Sequence, residues 1–169
     1  MGNSTLIADY IYDTLGLRLT ARDMANYGKI NTIFHNNCTT SVACTSTTEI
    51  ALTDYSITVY PQSTLSKFWI FATFAWYGNG NGSTWSLSNF IFYRDTTAIY
   101  NYDNFGIGNY EGPNNELKAM RASFQLLDTP RTTSAITYNV KTKNRDYTTI
   151  HNINTYGTGS FTVMEVYDD

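Results

Sequence analysis

The sequence predicts an all-β protein, an antiparallel jelly-roll β-sandwich (29–169) preceded by a short N-terminal arm (1–28). Three observations lead there. Turn signals recur about every ten residues from Lys29 onward. No helix of core size can be placed after Gly28. The segment Ser66–Gly78 is dense in aromatic and branched side chains, contains no proline, and ends on the glycine-rich run Gly78-Asn79-Gly80-Asn81-Gly82.

The arm comes first in the chain. Leu6, Ala8, Tyr10 and Tyr12 alternate with Ile7, Asp9, Ile11 and Asp13, which predicts a short extended piece with no hairpin partner before a turn at Gly16. Thr20 then reads as a helix N-cap, Asp23 suits the positive end of the dipole, and Gly28 stops a helix of about two turns. An extended segment without a neighbour leaves backbone donors and acceptors for another chain to satisfy, so Leu6, Ile7, Ala8, Asp9, Tyr10 and Ile11 are candidate anchoring residues.

Ile30, Thr32 and Phe34 open the sandwich and Asn36-Asn37 end their strand. The Thr/Ser-rich stretch Cys38–Thr48 is read as a bridge to Ile50 and Leu52, followed by Ser56–Tyr60 up to Pro61. The central strand Ser66–Gly78 places Phe68, Ile70, Ala72, Phe74 and Trp76 on one face and Trp69, Phe71, Thr73, Ala75 and Tyr77 on the other. Both faces are apolar, so one is expected in the core and one against another subunit. Phe68, Trp69, Phe71, Phe74, Trp76 and Tyr77 are the candidates for that subunit contact, and the sequence leaves open which face makes it.

Trp85–Tyr93 repeats the doubly apolar pattern at Leu87, Phe90, Ile91 and Phe92. A tight turn, Arg94-Asp95-Thr96-Thr97, leads to Ala98-Ile99-Tyr100, and Asn101–Asn115 is expected to be a long loop. Its aromatic and amide side chains suit a sugar ring, which has an apolar face and a hydroxyl rim, so Tyr100, Tyr102, Asn104, Phe105, Asn109 and Tyr110 are candidate glycan contacts. Strands at Leu117–Leu127, Ala135–Lys141, Tyr147–Ile153 and Ser160–Tyr167 complete about nine, with Ile136, Tyr138 and Val140 facing inward.

Composition excludes several classes of function. A formal net charge of −3 with 11 Lys+Arg and no basic run gives no footprint for nucleic acid. No segment approaches the roughly 18 apolar residues of a membrane span, and the N-terminus has no charged-then-apolar secretory pattern, so a soluble protein made in a cytoplasm is expected. Free thiols follow from that compartment for Cys38 and Cys44. With His35 they make a His-x2-Cys-x5-Cys cluster that lacks a fourth ligand, so neither a metal nor a cofactor is expected. His35 and His151 lie far apart with no nucleophile motif to join them. Asp95, Asp103, Glu111 and Glu116 surround the long loop without a groove to serve as a sugar-cleaving pair, and the chain reads as no enzyme.

Several segments together resemble short tail-fibre and virion-surface structural proteins of tailed phages of aquatic bacteria. They are Ser4–Asp13, Pro61–Lys67 with the apolar strand after it, Phe92–Ile99, Ser123–Pro130, Thr132–Val140, Asn152–Asn154 and Ser160–Val166. The likeness lies in strand and turn signatures rather than catalytic motifs. It implies a jelly roll of the tumour-necrosis-factor and C1q type, a homotrimer and a virion location. The function it implies is a non-enzymatic tail-fibre or baseplate-associated protein of host adhesion, with neighbouring virion structural proteins and a host surface glycan as partners. A capsid decoration (cement) protein is the alternative, and a glycan-cleaving tailspike-like enzyme is the second.

Overall fold

The computed structural model describes residues 11–12, 18–19, 30–79, 85–101, 107–110, 118–145 and 150–166. Its strands are β1 (Ile11–Tyr12), β2 (Arg18–Leu19), β3 (Ile30–Cys38), β4 (Val42–Cys44), β5 (Ile50–Val59), β6 (Lys67–Asn79), β7 (Trp85–Arg94), β8 (Thr97–Asn101), β9 (Ile107–Tyr110), β10 (Lys118–Asp128), β11 (Ile136–Asn144), β12 (Ile150–Ile153) and β13 (Gly159–Val166). Among the described residues there is no helix.

Two antiparallel sheets face each other. In the first, β6 carries β10 along one side, and along the other β13 at Lys67–Thr73 and β12 at Trp76–Asn79. β13 continues to β3 and β12 to β4. Thus β12 and β13 are collinear halves of one interrupted strand, as are β3 and β4. The second sheet runs β5, β11, β7, with β8 and β9 sharing the last position against successive parts of β7. Each sheet is therefore four strands wide, and the chain crosses between them at every connection except those within an interrupted pair and from β7 to β8. That is jelly-roll winding.

Alternation fills the space between the sheets. Phe68, Ile70, Ala72, Phe74 and Trp76 point inward from β6 and meet Tyr55, Phe90 and Tyr138 of the opposite sheet. Phe74 stacks on Tyr55 at 4.5 Å and lies 4.3 Å from Phe90, while Phe68 meets Tyr138 at 5.5 Å between centroids. The Trp76 indole donates to Ser88 Oγ at 2.8 Å, which satisfies a buried donor across the sandwich. Ile136, Tyr138 and Val140 are buried, as their alternation requires. Ile91 on the other face of β7 is buried as well, so that strand is covered on both sides.

Polar ties close the sandwich ends. Arg94 on β7 reaches Asp128 on β10 at 2.9 Å, and the Tyr138 hydroxyl donates to the same carboxylate at 2.8 Å. Burial, and then the Asp128 carboxylate, push the Tyr138 phenol upward in pKa. Asp54 on β5 accepts from Thr39 N, Thr40 N and Thr40 Oγ1 at 2.7–2.8 Å. The hydrogen bonds from Thr40, then that from Thr39, hold the Asp54 carboxyl below its ordinary range, and they pin the break between β3 and β4.

Four expectations need correction. Ile11 pairs with Leu19 and Tyr12 with Arg18, so the extended arm does have a partner there. Val42–Cys44 is a strand inside the supposed Thr/Ser bridge, because it registers against β12. Ile50–Val59 is one strand rather than two. The long loop after Tyr100 contains β9, which pairs Ile107–Tyr110 with Trp85–Ser88. The expected helix at 20–28 lies outside the described residues.

Candidate functional surface

The outer face of the first sheet divides into two halves along β6. At one end a transverse row of apolar side chains crosses four strands. Leu127 pairs with Trp69, Trp69 with Met164, and Met164 with Ile33. Leu127 is 56% exposed, Trp69 44% and Ile33 57%, a concentration unusual for one sheet face. Phe71, one step along β6, stacks on Trp69 at 5.6 Å, and Val166 lies one step the other way between Lys67 and the exposed Ile30.

The middle of the face is polar. Thr73 Oγ1 and Ser160 Oγ hydrogen bond at 2.8 Å, and Ser123 pairs with Thr73 from the other side. His35 sits beside the apolar row, its Nδ1 2.8 Å from Thr162 Oγ1 and its Nε2 3.2 Å from Asn37 Oδ1.

At the far end Ala75 and Tyr77 border a cleft that Ala119, Met120, Arg121 and Tyr156 complete. The segment between β12 and β13 forms one wall. Asn154 there is in the left-handed region at φ 61°, and its amide N donates to Ala75 O at 2.7 Å. Its side chain accepts from Ala75 N at 3.3 Å and donates to the Tyr55 hydroxyl at 3.1 Å. Tyr55 in turn donates to Thr73 O at 2.8 Å, and burial pushes its phenol upward in pKa.

No protein-family model matches the chain, and no curated protein matches it in sequence. Solved structures share a partial likeness. A structure of the infectious bursal disease virus Gx strain matches at a TM-score of 0.44 and 9% identity, over 82% of this chain and 38% of that one. The T13 IBDV viral particle matches at 0.44 and 8% identity, over 84% and 41%. The infectious bursal disease virus VP2 subviral particle matches at 0.43 and 8% identity, over 80% and 37%. The chain spans about two fifths of the length of these proteins.

The structure separates the residues expected to act together. Phe68, Phe74 and Trp76 are fully buried between the sheets, so these three are core residues and cannot meet another subunit. Trp69, Phe71 and Tyr77 are on the outer face, Tyr77 at the end remote from Trp69. Ile33, Leu127 and Met164 were not anticipated, although the alternation of β3, β10 and β13 places them opposite the inward positions. Tyr100 is exposed at the end of β8. Asn109 and Tyr110 belong to β9, whereas Tyr102, Asn104 and Phe105 lie outside the described residues. Of the anchoring candidates, Ile11 is in β1, and Leu6 to Tyr10 lie outside the described residues.

His35 and Cys38 differ by an odd number of positions in one strand, so the imidazole faces solvent and the thiol faces the core. Both cysteines are free and buried, and each thiol donates to a backbone carbonyl, Cys38 to Asp54 O at 3.5 Å and Cys44 to Ser46 O at 3.6 Å. Burial, then the Asp54 charge, push Cys38 up to about 12. A thiol held neutral in this way carries little of the thiolate that acts as a nucleophile at neutral pH.

The described carboxylates all serve the architecture. Besides Asp54 and Asp128, Asp95 accepts from Thr137 N at 2.8 Å in the β7–β8 turn, and Glu49 takes the Tyr93 hydroxyl at 2.6 Å. Buried Glu165 accepts from Gln62 N at 2.8 Å and Asn31 Nδ2 at 3.0 Å. Asp103, Glu111 and Glu116 lie outside the described residues.

Proposed function

We propose that this chain is a non-enzymatic structural protein of a virion surface, that it forms a homotrimer through the apolar half of the outer face, and that it serves host adhesion at a tail fibre or baseplate. The observation that carries the reading is the row Leu127, Trp69, Met164, Ile33. An isolated protomer leaves Leu127, Trp69 and Ile33 about half exposed and Met164 partly so, and burying them against a neighbour returns about 25 cal/mol per Å² of apolar area. The threefold count and the virion setting rest on the segments that resemble phage tail-fibre and virion-surface proteins.

Light scattering on the purified protein tests the assembly, and a monomer at micromolar concentration would remove it. Imaging of intact particles tests the location: density at the tail supports adhesion, whereas density on the shell would replace it with a decoration role. The arm is proposed as the attachment to neighbouring virion proteins. Deleting residues 1–20 is expected to leave a folded sandwich that no longer enters particles, because the core residues among those described all come from β3 to β13. Normal incorporation of the truncated chain would transfer attachment to the sandwich.

A further inference from the structure

We infer that the cleft between Tyr156 and Arg121 binds a sugar ring carrying a carboxylate. This rests on the adhesion reading for its biological meaning, but the described lining of the cleft comes from a single protomer. Its volume of about 270 Å³ is just below the roughly 300–1,000 Å³ of drug-sized pockets and suits a single ring whose neighbours stay in solvent.

Tyr156 is 72% exposed, the most exposed of the large hydrophobic side chains among the described residues. An aromatic ring in that position normally swings freely. Here its ring packs edge-on against Tyr77, with centroids 4.8 Å apart, and its loop is tied on both sides. Asn154 fixes one end to Ala75, Ser41 Oγ lies 2.6 Å from Thr155 Oγ1, and Arg121 Nη1 donates to Thr158 O at 3.2 Å. A platform held before the ligand arrives loses little entropy on binding. The apolar face of a pyranose matches such a ring, and the phenol adds a polar edge for its hydroxyls.

Arg121 supplies the charge preference. It is the only charged group among the described residues lining the cleft, in a chain whose net charge is −3. One hydrogen bond to Thr158 O leaves most of a five-donor fork for a bidentate carboxylate. Gly157 lets the loop pack closely on the sheet: a Cβ there would crowd Ala75 Cβ at 3.1 Å, while it would only touch Arg121 Nη2 at 3.5 Å. The small side chains of Ala75 and Ala119 leave the floor open to the ring.

The test is a titration of the full chain with labelled tetrasaccharides of galacturonate, mannuronate and glucuronate, each beside its methyl ester. At least one acid form is expected to bind with a Kd near or below about 1 mM, and about tenfold more tightly than its ester. Arg121→Met should bring the acid to the level of the ester, and Tyr156→Ala should weaken both. Tyr156→Phe keeps the ring and loses only the phenol edge, so it should retain more binding than Tyr156→Ala, and an unchanged urea midpoint in each variant guards against a loss caused by misfolding. Failure of all three acids to bind, equal binding of acid and ester, or an Arg121→Met variant as tight as the parent would overturn the inference. Saccharide binding by a monomer would remove only the trimer, and a trimer that ignores every uronate would remove only the cleft.

Discussion

Asn154 and Ala75 hold each other through two hydrogen bonds, one from the Asn154 backbone N to Ala75 O and one from Ala75 N to Asn154 Oδ1. The pair marks the point where the strand opposite β6 breaks, between the end of β12 and the start of β13. Asn154→Ala removes the acceptor for Ala75 N, a partner of the Tyr55 hydroxyl, and the side chain best suited to a positive φ. The cost is expected to be about 2–4 kcal/mol, read from the urea midpoint. A loss under about 0.5 kcal/mol would mean the loop holds without this joint.

Gly159 has no room for any side chain. A Cβ there would overlap the Tyr55 hydroxyl and the Thr73 carbonyl oxygen, so Gly159→Ala is expected to cost at least about 3 kcal/mol. Adding Tyr55→Phe removes the closest of the three atoms, leaving the Tyr55 Cζ position at 3.0 Å and the Thr73 carbonyl, and should restore part of the loss. Full restoration would show that the Thr73 carbonyl yields easily.

Alkali should destabilise the fold before it reaches the surface lysines. Cys38 is raised from 9.0 to about 12 and Tyr93 from 10.0 to about 12, the first mainly by burial and the second mainly by its hydrogen bond to Glu49. A folded-state value above the unfolded one means that the unfolded chain releases its proton first. Stability from the thiol is therefore full below about pH 9 and lost as the pH climbs toward 12. The urea midpoint should fall between pH 8 and pH 10.5, and less steeply in Cys38→Ala. An unchanged midpoint would mean that the thiol and phenols ionise in place.

Charge placed in the apolar row should separate the protomers without unfolding them. Trp69→Asp and Leu127→Asp both alter exposed positions, so the melting temperature of the isolated domain should move little while the scattering mass drops to one chain of 19.1 kDa. Ser123→Asp, in the polar middle of the same face opposite Thr73, serves as a control outside the row. A trimer that survives both row substitutions would assign the contact elsewhere.

Strand periodicity made much of this legible. The alternation at 136–140 and the two faces of β6 follow from side-chain parity alone, and parity also sorts His35 from Cys38. What parity cannot give is the partner. Val42–Cys44 is too short and too Thr/Ser-flanked to stand out, and it becomes a strand through β12. Thr53-Asp54-Tyr55 reads as a break because aspartate disfavours strands, yet Asp54 is retained within β5 by its hydrogen bonds to Thr39 and Thr40. The apolar row and the cleft are each assembled from three or four segments distant in sequence, so no single window displays either. Asn154 leaves a faint trace, since asparagine tolerates positive φ, but the glycines that follow at 157 and 159 are the stronger turn signals.

The interrupted strand has a consequence for how this protein can change. β12 and β13 are each registered to β6 independently, by Trp76–Asn79 and by Lys67–Thr73. The segment 155–158 between Asn154 and Gly159 can therefore be lengthened, or exchanged at Thr155, Tyr156 and Thr158, with both anchors retained, whereas Gly157 is held to glycine by Ala75. Such a seam is a natural cassette: recognition can diversify there while the scaffold stays constant, and a foreign peptide grafted at 155–158 would be displayed at the rim of the same outer face.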